Sequence, residues 1–211
     1  MNKKIGLFIR VPKNASTSII NSFSDQGTRI KAGELKELES LYDENQSGVL
    51  YSKTGAMSRL VLQHSNHIDL EKVFSFGFVR NPYERAVSSF KLHSNPNLVK
   101  IWRRKSRNSF KEFLKYLLDK DLNPKNQFNS YELLMSCEQY PFLIDEKSNT
   151  RVDFIGRVES VQKDMDFITN HLGLENIIVK EYRDYYDSES VDIVEKIYKR
   201  DIDFFQYKFE N

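Results

Sequence analysis

Cysteine is nearly absent from this chain: Cys137 is the only one in 211 residues. A lone thiol excludes an intramolecular disulfide and leaves no set of cysteine ligands for a structural zinc. Tryptophan is as scarce, with Trp102 alone, and 15 Phe and 11 Tyr supply the aromatic bulk instead. Charge of one sign is lacking too, since 32 Lys and Arg stand against 30 Asp and Glu, a formal net charge of +2. That balance creates no global field of the kind that marks a nucleic-acid binder, so any anion site must arise by local clustering. Long apolar runs are also missing. The stretch that follows the basic start Met1-Asn2-Lys3-Lys4 covers residues 5–11, carries Arg10 and stops at Pro12-Lys13. It is too short and too charged for an export signal or for a spanning helix, which needs about 20 apolar residues. The expectation is a cytoplasmic enzyme or binding module with no integral membrane segment and with an open oligomeric state.

What is present reads as one globular domain over residues 1–211, with 39% hydrophobic and 29% charged residues. Residues 5–11 and 73–79 are near-continuous apolar runs, the pattern of strands buried on both faces. Each is broken by a proline and followed by a helical pattern, suggested by Ile19, Ile20 and Phe23 after the first and covering residues 83–92 after the second, with Pro82 suited to a first helical turn. Further helices are expected at 33–42, 110–118, 128–137 and 161–172, the last closed by Gly173. Shorter strands are expected at 59–63, 152–156 and 177–180. Val191, Val194, Ile197, Tyr198 and Phe205 share one helical face near the C-terminus. This alternation predicts an α/β fold, P-loop-like, with a central parallel sheet flanked by helices.

The segment Arg10-Val-Pro-Lys13-Asn-Ala-Ser16-Thr-Ser18 leaves a buried strand, turns through small residues and enters a helix. Small residues let backbone N–H groups approach an anion, and a helix N-terminus adds a favourable dipole. Lys13 supplies charge, and Ser16, Thr17 and Ser18 supply hydroxyls. The same residues also suit an ordinary strand-to-helix turn with a hydroxyl N-cap. No glycine occurs in the segment, so it is not the GxxxxGK[ST] loop of nucleotide kinases. The second segment, Phe76-Gly-Phe-Val-Arg80-Asn-Pro-Tyr-Glu-Arg85-Ala-Val-Ser88, puts Arg80 where a strand ends at the sheet rim. An arginine there offers a planar fork to a phosphate. Arg85, inside the helix, suits a structural pairing with a carboxylate.

Together these segments resemble the nucleotide-binding motifs of the carbohydrate sulfotransferases, the group of heparan sulfate 2-O-sulfotransferase and its bacterial relatives. The resemblance continues through Val152-Asp-Phe-Ile-Gly-Arg-Val-Glu159 with Asp164, and through residues 181–186 and 201–207, and so covers nearly the whole chain. It implies that the donor is 3′-phosphoadenosine 5′-phosphosulfate (PAPS), the product is 3′-phosphoadenosine 5′-phosphate (PAP), and no metal takes part. It assigns Pro12, Lys13, Asn14, Ala15, Ser16, Thr17 and Ser18 to the 5′-phosphosulfate end of the donor, and Arg80 and Ser88 to its 3′-phosphate. It further implies a catalytic histidine upstream of the second segment, His64, with His67 as the runner-up. The acceptor it implies is a saccharide or glycoconjugate hydroxyl, with Gln139 near it.

The remaining residues carry less. His64-x-x-His67 has no third ligand in a motif, which disfavours a metal site. His171 sits near a helix C-terminus, where partial positive charge is favoured structurally. Lys100, Arg103, Arg104, Lys105 and Arg107 around Trp102 suit either an anionic glycan or a solvated basic surface. Two other readings of the chain stay open: a P-loop-type nucleotide kinase, and a catalytically idle nucleotide-binding protein of the same fold.

Overall fold

The structure, a computed structural model, describes residues 5–25, 29–32, 48–52, 73–95, 109–122, 131–174 and 187–209. The chain divides into two compact units, one of Met1–Val79 with Pro141–Lys180 and one of Arg80–Tyr140 with Glu181–Asn211.

The first unit is built on a five-stranded sheet of β1 (Ile5–Ile9), β2 (Arg29–Ala32), β3 (Gly48–Ser52), β4 (Val73–Val79) and β5 (Phe154–Arg157), in the order β2-β3-β1-β4-β5. Every pairing is parallel, with Ile5 opposite Gly48 of β3 and Val73 of β4, and Phe76 of β4 opposite Phe154 of β5. All residues of β1 and β4 are buried, as a parallel sheet covered on both faces requires of its central strands. Because side chains alternate, Phe8 joins Phe74, Phe76 and Phe78 on one face. There they pack against Ile19, Ile20 and Phe23 of α1 (Ser16–Asp25) and against Met165, Ile168 and Leu172 of α6 (Val161–Leu172). Phe8 and Phe76 stack with ring centroids 5.3 Å apart. The other face comes so close to Leu143 that a Cβ on Gly77 would lie 2.5 Å from Leu143 Cδ2. Asp153, just before β5, accepts bonds from Ser75 N–H and Ser75 Oγ at 2.8 Å each, and its own N–H donates to Ser75 Oγ at 3.0 Å. These bonds satisfy a buried hydroxyl and pin the start of β5 to β4. Asp164 in turn accepts from Arg157 N–H at 2.7 Å and from Ser160 Oγ at 2.8 Å, fastening the entry to α6. Gly173 ends that helix at φ 73°, the left-handed cap that glycine adopts without a Cβ penalty.

The described residues of the second unit form helices: α2 (Pro82–His93), α3 (Phe110–Leu118), α4 (Tyr131–Leu134), α7 (Ser188–Ile197) and α8 (Lys199–Phe205). A further short helix, α5 (Tyr140–Leu143), runs across the division. Local caps explain where the helices start. Asn81 Oδ1 accepts from Tyr83 N–H at 3.0 Å ahead of Pro82, Ser109 Oγ accepts from Glu112 N–H at 3.2 Å, and Asp187 forms a capping box with Ser190. Tyr83, Val87, Phe113, Leu114, Leu117, Val194 and Tyr198 form this unit's core.

Several elements differ from the sequence expectation. β2 and β3 were not expected: Arg29-Ile-Lys-Ala32 alternates charge with apolar residues on an edge strand, and β3 is short. Of the helix expected over 128–137, residues 128–130 lie outside the described residues; the described part is helical at Tyr131–Leu134 and then turns through Ser136. β5 begins at Phe154 rather than at 152, because the Asp153 carboxylate takes the Ser75 N–H that a ladder partner would use. The C-terminal apolar face is split between α7 and α8 at Tyr198. The elements expected at 33–42, 59–63 and 177–180 lie outside the described residues.

Candidate functional site

The loop after β1 is strained. Lys13 has φ 67° and Ala15 has φ 53°, both left-handed without being glycine. For an L-residue that conformation costs roughly 1–2 kcal/mol, and such outliers persist where the surroundings enforce them. Asn14 between them is buried, and its Nδ2 donates to the Phe78 carbonyl at 2.6 Å, one position beyond the last β1–β4 pair of Ile9 and Gly77. Pro12 is buried as well, and the Arg10 guanidinium lies 6.0 Å from the Tyr51 ring centroid. Ala15 C=O accepts the first helical bond of α1, from Ile19 N–H at 3.0 Å. Ser16 is therefore the first helical residue and is buried, while Thr17 and Ser18 in the same turn are exposed. Leading N–H groups of a helix have no intrahelical acceptor. The first turn of α1 holds no acidic residue, whereas the other long helices carry Glu84, Glu112, Asp164 and Glu189 there. Left-handed turn residues, a half-buried lysine and an uncompensated helix dipole together make a loop able to hold an anion.

The segment after β4 belongs to the helical unit. Arg80 is 9% exposed, and its Nε and Nη2 donate to Glu84 Oε2 at 3.2 and 3.0 Å. Glu84 and Ser88 are four residues apart on α2 and so share one helix face. Ser88 is half-buried there. The Arg80 backbone is held by a side chain: Arg80 N–H donates to Gln139 Oε1, and Gln139 Nε2 donates to Arg80 C=O, both at 2.8 Å. Arg85 is fully buried, with its guanidinium 5.7 Å from the Tyr198 ring centroid. Its charge acts on the buried Asp201 carboxyl, which burial pushes above the ordinary range and Arg85 draws back.

His64 and His67 lie outside the described residues, as does the basic stretch around Trp102. The other two histidines, His93 and His171, lie among the described residues. His93 is buried with its ring 5.1 Å from Phe113 and its Nε2 3.4 Å from Ser136 Oγ. His171 lies over Phe74 at 4.2 Å between ring centroids. Among the described residues, no three His, Cys, Asp or Glu side chains converge on a metal-sized site, and no helix is long and apolar enough to cross a membrane. Two features were not anticipated from sequence. The left-handed backbone at Lys13 and Ala15 is unmarked by glycine, and the grip of Gln139 on Arg80 joins residues far apart in the chain.

Residues 3–208 match the model of the sulfotransferase family. The chain belongs to that family. None of the curated proteins matches it significantly. Among solved structures, that of mouse sulfotransferase SULT7A1 complexed with PAP is similar, at 16% identity and a TM-score of 0.43, over 100% of this chain and 69% of that one. Within the first unit β1 and β4 are parallel neighbours, so both strands end at the same sheet edge, the usual ligand edge of open α/β folds.

Proposed function

We propose that this protein transfers a sulfuryl group from PAPS to a hydroxyl of a carbohydrate or glycoconjugate, with PAP as the second product. The observation that carries the reading is the strained loop Lys13–Ala15 ahead of an α1 N-terminus free of acidic residues, in a chain of the sulfotransferase family. In this reading Pro12 and Asn14 hold the loop's shape, and Ala15 admits the donor close to the backbone. Ser16, Thr17 and Ser18 offer N–H and hydroxyl donors to the 5′-phosphosulfate. Arg80 and Ser88 take the 3′-phosphate, with Glu84 orienting the Arg80 guanidinium.

The acceptor oxygen attacks sulfur, forming a new O–S bond. The S–O bond to the 5′-phosphate breaks, and its electron pair leaves with PAP. Lys13 donates to that oxygen as its charge grows, a contact that strengthens in the transition state. His64, with His67 as the alternative, takes the acceptor proton, and a base with a pKa near neutrality is suited to that role. The carbohydrate class of acceptor and the treatment of residues 1–211 as one sulfotransferase domain rest on the resemblance of the sequence segments.

Calorimetric titration with PAP beside ADP, which lacks the 3′-phosphate, tests the donor assignment. Tighter binding of PAP supports it. Binding of neither removes it, and tighter binding of ADP supports the kinase alternative.

A further inference from the structure

Gln139 is fully buried in the turn ahead of α5, and its side-chain amide meets both backbone polar groups of Arg80. One residue of an antiparallel ladder holds its partner by the same two-point exchange. Here a side chain supplies it, at the first residue after β4. The amide does this with two separate atoms, Oε1 accepting from the N–H and Nε2 donating to the C=O, whereas a carboxylate only accepts and an apolar side chain does neither. Gln139 is itself held: its N–H donates to Asp201 Oδ2 at 2.9 Å, and Tyr140 N–H donates to Asp201 Oδ1 at 2.7 Å. Asp201 is fully buried on α8, so the chain of bonds runs from the C-terminal helix to the Arg80 peptide.

We infer that Gln139 is a positioning residue for donor recognition, fixing the Arg80 backbone so that the guanidinium meets the 3′-phosphate in one orientation. Two bonds flanking the Arg80 Cα fix the direction of its Cα–Cβ bond, and Glu84 then fixes the far end of the side chain. Both ends of Arg80 are set before any ligand arrives, and such preorganisation lowers the ordering cost of binding. The inference rests on the assignment of Arg80 to the 3′-phosphate.

The test compares affinities for PAP and for adenosine 5′-monophosphate, which differ only by the 3′-phosphate. In Gln139→Met the preference for PAP should fall by about tenfold, within the usual range of coupling between contacting residues. Affinity for adenosine 5′-monophosphate should hold. Arg80→Ala should lower the preference further, and adding Gln139→Met to it should change nothing more. A merely structural role would lower the melting temperature and leave the preference intact; that result, or additive losses in the double variant, overturns the inference. If Gln139→Met does not fold, Asp201→Asn keeps the shape and replaces one of the two acceptor oxygens that hold the Gln139 and Tyr140 N–H groups. It should give a smaller loss of the same preference, and an unchanged preference overturns the inference equally. A wild-type protein that does not prefer PAP to adenosine 5′-monophosphate removes the Arg80 assignment, and the inference with it.

Discussion

Asn14 Nδ2 donates to the Phe78 carbonyl at 2.6 Å, so the loop after β1 is fastened to the end of β4 by one side-chain bond. Both residues are buried, and Asn14→Ala would leave that carbonyl without this donor. Loss of a buried partner costs about 1–3 kcal/mol. Urea unfolding should show that loss, and PAP affinity should fall with it. An unaltered unfolding midpoint would mean that the loop does not depend on this bond.

The left-handed backbone at Ala15 makes a prediction of opposite sign for two substitutions. Ala15→Gly should leave stability unchanged or slightly raised, because glycine adopts positive φ without strain. Ala15→Val should destabilise by at least about 1 kcal/mol, since a branched side chain is poorly tolerated there. Melting temperatures of the two variants decide it, and equal values would argue against the left-handed turn.

Lys13 and Arg80 should separate turnover from binding. Lys13→Ala is expected to lower kcat about a hundredfold, in line with removal of a transition-state donor, while PAP binding changes far less. Arg80→Lys keeps the charge but loses the planar fork, and it should forfeit most of the preference for PAP over adenosine 5′-monophosphate. Single-turnover kinetics and calorimetry together check both expectations. A Lys13→Ala protein with full turnover would take that residue out of the chemistry.

Acid should loosen α7 of the helical unit. Hydrogen bonds from Lys111, and then from Ser190, hold the Asp187 carboxyl well below the usual carboxylate range, and Lys111 with Lys115 lowers that of Glu189. A depressed folded pKa contributes stability that is present above the unfolded value, about 4, and is lost as pH falls through the folded values. Asp187→Asn keeps a capping acceptor and removes the charge. It should melt below wild type at pH 7, match wild type near the acid end, and lose most of its deficit in high salt because the pairs are exposed. A deficit independent of both pH and salt would attribute the effect to the cap alone.

Gly77 faces Leu143 across less space than a methyl group needs. Gly77→Ala should cost about 1–3 kcal/mol from overpacking. Calorimetric melting checks this, and Leu143→Ala in the same chain should recover part of the loss.

Much of this architecture is legible in local pattern. The apolar runs that become β1 and β4 need no context to be read, and neither does Val161–Leu172, with Val161, Met165, Ile168 and Leu172 at helical spacing and Gly173 behind them. Asn81-Pro82 marks the start of α2 in the same way. What escapes local reading is tertiary in origin. Arg29-Ile-Lys-Ala32 is a strand because β3 pairs with it, not because its own residues favour one. The interruption near Ser136 reflects bonds to distant partners, among them Tyr198 Oη donating to Ser136 C=O at 3.0 Å. Gln139 sits in a stretch without periodicity; the resemblance places it near the acceptor, and its pairing with the Arg80 peptide appears only in the fold. The anion-binding character of residues 10–18 is readable from composition, but the positive φ at Lys13 and Ala15 is not, because no glycine announces it.

The sheet order β2-β3-β1-β4-β5 also governs how the chain can fold as it is made. β1 emerges first, yet it is the central strand, and neither of its partners is the strand that follows it in the chain. Ile5–Ile9 must therefore wait, apolar and unpaired, until Gly48–Ser52 and then Val73–Val79 have been synthesised. Long-range parallel pairing of this kind is slow and exposes intermediates to aggregation. Truncation before β4 should accordingly yield insoluble chains rather than a smaller folded sheet.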